Sequence, residues 1–63
     1  MNRRTVRLGQ LSVVTVESDI RAGTIKLICH IHGHPTAEPH EARALGEALI
    51  AAADDLAAYK VQP

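Results

Sequence analysis

The segment PHEARALGEALIAAADDLAAY, residues 39–59, decides the fold of this chain. Its apolar residues recur at alternating spacings of three and four, which keeps them on one side of an α-helix. We therefore predict a helix over about residues 39–59 that packs one apolar stripe on the rest of the chain. The stripe consists of Ala42, Leu45, Leu49, Ala52, Leu56 and Tyr59.

A second row of mostly small residues runs beside this stripe. We call it the helix shoulder, and it consists of Gly46, Ile50, Ala53 and Ala57. Small side chains let another backbone come close, and nothing else in so short a chain is predicted to cover them. The shoulder is therefore a predicted protein interface.

The remaining side of the helix is polar and carries acidic groups. Glu47, Asp54 and Asp55 are predicted to form an acidic surface that can meet a basic partner. Pro39 suits the first helical position, which makes Glu38 the implied N-cap, although Ser, Thr, Asp or Asn caps a helix better.

The first half of the chain reads as strands. Residues 11–17 and 24–32 are rich in β-branched residues and predict two strands, with a shorter one at about 5–8. Gly9 and Gln10 fit a two-residue hairpin turn, and a single longer strand with a bulge at Gly9 is the alternative. The predicted fold class is α+β, with a two- or three-stranded antiparallel sheet followed by one long C-terminal helix packed on it.

Alternation along the last strand separates its two faces. Ile25, Leu27, Cys29 and Ile31 share the face predicted to meet the helix, while Lys26, Ile28, His30 and His32 share the other. With Leu45, Leu49 and Leu56, the first set makes up the predicted core.

The helix sequence between Pro39 and Ala57 resembles that of a loose group of small uncharacterised proteins of phages and GC-rich bacteria. In that group a hairpin precedes a helix of the type Ser-Pro-Glu-Glu-Ala-Arg-Ala-Leu, and the present chain departs from it at Glu38. The resemblance implies a hairpin-helix fold and a phage or mobile-element setting. It implies no activity and no functional residues.

Length and composition predict a single domain, 1–63, that self-associates. The chain has no Phe or Trp and ten Ala, so its core is thin. Burial of a Val, Leu or Ile side chain contributes roughly 1.5–3 kcal/mol, against roughly 1–2 kcal/mol of backbone entropy for each ordered residue. The balance for a lone chain is close to zero, so we expect a homodimer. Helix shoulders and sheet edges are both possible interfaces, and Val13 with Ile28 on the outer sheet face is the rival surface.

Charge, cysteine content and hydrophobicity indicate the cellular compartment of the protein. The net charge is zero, with five basic and two acidic residues in positions 1–30 and the reverse in 31–63. A single cysteine cannot form an internal disulfide, and no apolar run reaches the length of a membrane span. We expect a cytoplasmic protein without a membrane partner.

The remaining polar residues bear on metal binding, nucleic-acid binding and catalysis. His30, His32 and His34 have spacing that suits a metal site, but Cys29 points to the opposite face of the strand, so we expect no metal and no cofactor. Arg3, Arg4 and Arg7 suit phosphate contacts, but no aromatic residues accompany them for stacking on bases. No catalytic constellation or small-molecule site is evident.

The predicted function is therefore a non-enzymatic protein-interaction module, a phage or mobile-element accessory protein that binds and modulates a host protein. A small nucleic-acid-associated regulator using the N-terminal arginines is the alternative. A histidine-rich metal-binding module is third.

Overall fold

The computed structural model describes residues 2–61, and side chains up to residue 59. Strand β1 spans Asn2–Leu8, β2 spans Ser12–Asp19, β3 spans Thr24–His30, and helix α1 spans Pro39–Val61. The three strands form one antiparallel sheet in the order β1-β2-β3. The predicted α+β class is confirmed, and the first strand is separate and longer than expected. No helix in the described part is long and apolar enough to cross a membrane.

The β1–β2 connection differs from both predicted forms. Leu8 pairs with Ser12, so residues 9–11 form a three-residue turn and Leu11 lies in it, 72% exposed. Gly9 takes a φ of 69°, a left-handed conformation that is cheap only for glycine. The prediction that the second strand begins at Leu11 is therefore wrong, since β2 begins at Ser12.

Helix α1 covers one face of the sheet, above β1 and β2, with few contacts to β3. The core beneath it is small and consists of Val6, Val14, Val16, Ala48 and Ala52, with Leu8, Ile25 and Leu45 partly buried against it. Ala48 and Ala52 have short side chains, so the helix approaches the valines of β1 and β2 closely.

Part of the predicted core is exposed because α1 lies over β1 and β2 and makes few contacts with β3. Leu27 and Cys29 do lie on the helix side of the sheet, but Leu27 is 53% exposed and Cys29 is exposed too. β3 ends at His30 and not at the predicted residue 32, so Ile31 lies just beyond it and is 41% exposed. On the helix, Leu49 is 36% and Tyr59 56% exposed. Alternation predicted which face of β3 is apolar. It could not predict that the helix would lie over the other two strands.

Two polar contacts fix the helix in this position. Near its C-terminal end, the Asp55 carboxylate accepts hydrogen bonds from Asn2 Nδ2 at 2.9 Å and Arg4 Nη1 at 3.1 Å. At its N-terminal end, the Glu41 carboxylate accepts from the Gly9 backbone N–H at 3.2 Å. Both ends of α1 are thereby tied to β1 or to the turn that follows it, which leaves β3 uncovered.

Glu41 also completes the helix start. Its Oε1 accepts a hydrogen bond from the Glu38 backbone N–H at 2.9 Å, as the third residue does in a capping box, and the Ala42 N–H donates to the Glu38 carbonyl at 2.9 Å. Glu38 is thus the N-cap, as predicted. The hydrogen bonds from Glu38 and then Gly9 lower the pKa of the Glu41 carboxyl below its ordinary 4.5.

Candidate interaction surface

The helix shoulder points away from the sheet. Ile50 is 64% exposed, Ala53 and Ala57 are exposed, and Gly46 is half-buried. A Cβ placed on Gly46 would meet nothing within 4 Å. The small residues of the shoulder therefore serve no close packing within the described chain, and their surface is open to another molecule.

The acidic surface next to the shoulder is smaller than the sequence predicted. Glu47 and Asp54 are exposed, but Asp55 is half-buried and bound by Asn2 and Arg4. The hydrogen bond from Asn2, followed by that from Arg4, lowers the pKa of the Asp55 carboxyl below its ordinary 3.8. Asp55 therefore joins α1 to β1. Of the three predicted acidic residues, only Glu47 and Asp54 are exposed to solvent.

Two of the three N-terminal arginines are engaged in ion pairs. Arg3 lies against Glu17, with Nε 2.7 Å from Oε2, on the sheet face that the helix does not cover. Arg4 lies on the other face and binds Asp55. Arg7 is exposed and lines a shallow cleft with Thr5 and His40. The structure does not bring the three guanidinium groups to one surface, since neighbouring residues of a strand point to opposite faces.

The three histidines are not brought together either, since His30 is separated from the other two. His30 ends β3, whereas His32 and His34 lie in the following loop and line an open cleft of ≈ 340 Å³ near Ser12 and Leu11. Among residues 2–61, no three His, Cys, Asp or Glu side chains lie close enough to hold a metal ion. Cys29 and His30 point to opposite faces of the sheet, as the alternation predicted.

The exposed side of β3 is the surface that sequence reasoning missed. Leu27 and Cys29 on the sheet, Ile31 just after the end of β3, and Leu49 on the flank of α1 form what we call the open apolar face. Thr5, Val6 and Arg7 of β1 line a cleft with His40 and Ala44, which places those two helix residues on the β1 side of α1. Leu49 lies on the other flank of the helix, above β3.

Comparison with known proteins supplies no relative. No protein-family model matches the chain, and neither a curated protein nor a solved structure matches it.

Proposed function

We propose that this chain is a non-enzymatic protein-interaction module that binds a partner protein through the helix shoulder and the adjacent carboxylates. The observation that carries the proposal is the exposure of the shoulder, with Ile50 64% exposed at its centre. An apolar helix row rimmed by charged residues is typical of a protein-binding surface.

Chemistry of the rim indicates the kind of partner. Glu47 and Asp54 face solvent beside the shoulder, while Asp55 is occupied by Arg4. A partner with an apolar groove bordered by Lys or Arg would complement both features, because opposite charges at a rim speed association and select the partner. The proposal assigns the chain no reaction and no cofactor, and it places the chain in the cytoplasm, where Cys29 stays reduced.

The nucleic-acid alternative has weaker support. Arg3 is paired with Glu17 and Arg4 with Asp55, so a phosphate would have to compete with carboxylates 2.6 and 3.1 Å away. Arg7 is then the one exposed guanidinium of the three without such a pair among the described side chains, and a single charge gives weak binding.

Affinity capture from a lysate of the native host, with and without nuclease, tests the proposal. We expect the wild-type chain to retain one protein stoichiometrically after nuclease treatment. Ile50→Arg should abolish the capture, because a charge would enter the centre of the shoulder, and Asp54→Lys should weaken it.

Leu11→Arg is the matched control. Leu11 is also an exposed apolar residue, but it lies in the β1–β2 turn outside the shoulder, so this variant should capture as well as the wild type. Recovery of nuclease-sensitive material alone would overturn the proposal in favour of nucleic-acid binding. Equal capture by Ile50→Arg and Leu11→Arg would exclude the shoulder as the binding surface.

A further inference from the structure

The two edges of the sheet are built differently. β1 carries three arginines in seven residues, and charged edge strands resist pairing with other chains. β3, TIKLICH, has Lys26 as its one permanent charge, contains no Gly or Pro, and keeps an unbroken register with β2. Within residues 2–61 the sheet ends at β3. Its outer edge therefore offers backbone N–H and C=O groups that a single charged side chain, Lys26, protects.

The open apolar face lies directly beside that edge. Leu27 and Cys29 occupy the helix side of β3, Ile31 follows the end of the strand, and Leu49 lies above β3 on the flank of α1. A weakly protected strand edge and an exposed apolar face at the same place call for one occupant that covers both, and a further strand with its own apolar face would do so.

We infer that this occupant is a second copy of the chain, paired antiparallel through β3 about a two-fold axis at Leu27. The result is a six-stranded sheet with both helices on one face. This register pairs all seven residues of β3, with Leu27 opposite Leu27 of the second copy and Ile25 opposite Cys29 of the second copy. The apolar face of each copy is then continued by that of the other.

Avoidance of directly opposed like charges favours the same register. With the axis at Leu27, Lys26 of each copy lies opposite Ile28 of the other, and the two lysines are not directly opposed. An axis at Lys26 would place like charges opposite each other, which is unfavourable. An axis at Ile28 would put Lys26 opposite His30 and leave the start of β3 unpaired.

The spacing of the helices explains the role of Leu49. Each helix lies over β1 and β2, so the two would be separated by four strand spacings, about 19 Å. Helices in direct contact lie about 8–10 Å apart. The gap between them takes one large side chain from each copy, and Leu49 occupies that position. The helix shoulder stays outside this interface and remains available to the partner of the proposed function.

The available surface is sufficient for a dimer. A specific interface buries at least about 1,000 Å² in total, or about 500 Å² per copy, about a tenth of the chain's 4779 Å². Seven paired residues make a strip about 23 Å long. To bury about 500 Å² per copy, this strip need be only about 20 Å wide, measured across the edge from one face of the sheet to the other. In the inferred dimer this width is drawn from the open apolar face, the strand edge and the outer side chains of β3.

Disulfide trapping tests the register. In a Cys29→Ala background, Lys26→Cys combined with Ile28→Cys should give a covalent dimer on mild oxidation, because position 26 of each copy faces position 28 of the other. Neither single cysteine should cross-link. Each would lie diagonally across from the same position in the second copy, about 7–8 Å away, which is too far for a disulfide. Cross-linking by Lys26→Cys alone or Ile28→Cys alone would overturn this register.

Sedimentation of charge variants tests the interface independently. Ile28→Lys would place a lysine opposite Lys26 of the second copy, and the two-fold axis would create this like-charge pair twice in each dimer. This variant should raise the dimer dissociation constant at least tenfold. Ile28→Glu would pair with the same lysines and should stay within threefold of the wild type at low salt. Circular dichroism checks that both variants keep the fold.

Two results would refute the dimer, and neither depends on the proposed function. A wild-type chain that sediments as a monomer at 100 μM would exclude it. Loss of the dimer in Ile50→Arg, with the fold retained, would move the interface to the shoulder. If Ile50→Arg stays dimeric and loses capture of a partner, the dimer interface and the shoulder are separate surfaces.

Discussion

Replacement of Val16 by Ala should destabilise the protein more than any other loss of two methyl groups from the sheet. Val16 is 0% exposed, lies in the central strand, and packs in the core cluster with Ala48 and Ala52 of α1. The two lost carbons are worth about 0.8 kcal/mol each in transfer free energy. A cavity term adds to this because short alanine side chains cannot move into the space, which brings the total to about 2–3 kcal/mol.

That amount is large for so short a chain. Small domains have about 0.05–0.15 kcal/mol of stability per residue, or about 3–9 kcal/mol here. One kcal/mol shifts the melting temperature of such a domain by about 4–8 °C, so Val16→Ala should lower Tm by about 10–20 °C. Thermal unfolding followed by circular dichroism at one fixed protein concentration measures this, since a dimer's Tm depends on concentration.

Val13→Ala is the matched control for this experiment. Val13 is on the same strand, but it points to the face that α1 does not cover and is only half-buried. Its substitution should cost less than half as much as that of Val16. A Tm change below about 4 °C for Val16→Ala, or equal changes in the two variants, would show that the helix does not pack on this face.

Three further outcomes follow from the polar contacts and the turns. The Glu41 and Asp55 carboxyls have a lowered pKa in the folded state, so the stability that they contribute is complete above their ordinary pKa values of 4.5 and 3.8 and is lost as pH falls below them. The urea midpoint of the wild type should therefore drop between about pH 5 and pH 3, and it should drop by less in Glu41→Gln. An equal drop in Glu41→Gln would contradict the role of Glu41. Asp55→Ala should lower the urea midpoint at pH 7 while Asp54→Ala, an exposed neighbour, leaves it unchanged, and the opposite order would place the ion pair elsewhere. Gly33→Ala should cost about 1–2 kcal/mol for its left-handed backbone alone, and Gly9→Ala more, because its Cβ would also lie 3.2 Å from the Thr36 carbonyl oxygen; equal Tm losses would show that the turn can move away.

Local pattern determined the elements of this fold. The spacing of apolar residues predicted α1 to within two residues, because a helix of 3.6 residues per turn leaves a distinct signature over twenty positions. β-branched runs predicted β2 and β3, and strict alternation separated Cys29 from His30 correctly. Each of these inferences depends only on residues that are close in sequence.

Tertiary structure alone decided where the helix lies across the sheet. Leu49 and Ala48 are neighbours in sequence and both suit a core, yet Ala48 is 6% exposed and Leu49 36%. The choice depends on contacts between distant residues, Asp55 with Arg4 and Glu41 with Gly9, which tie α1 to the β1 side of the sheet. The periodicity of a single helix or strand carries no information about such contacts between distant residues. The same contacts withdraw Asp55 from the predicted acidic surface and leave one side of β3 uncovered, because a single helix is too narrow to cover three strands.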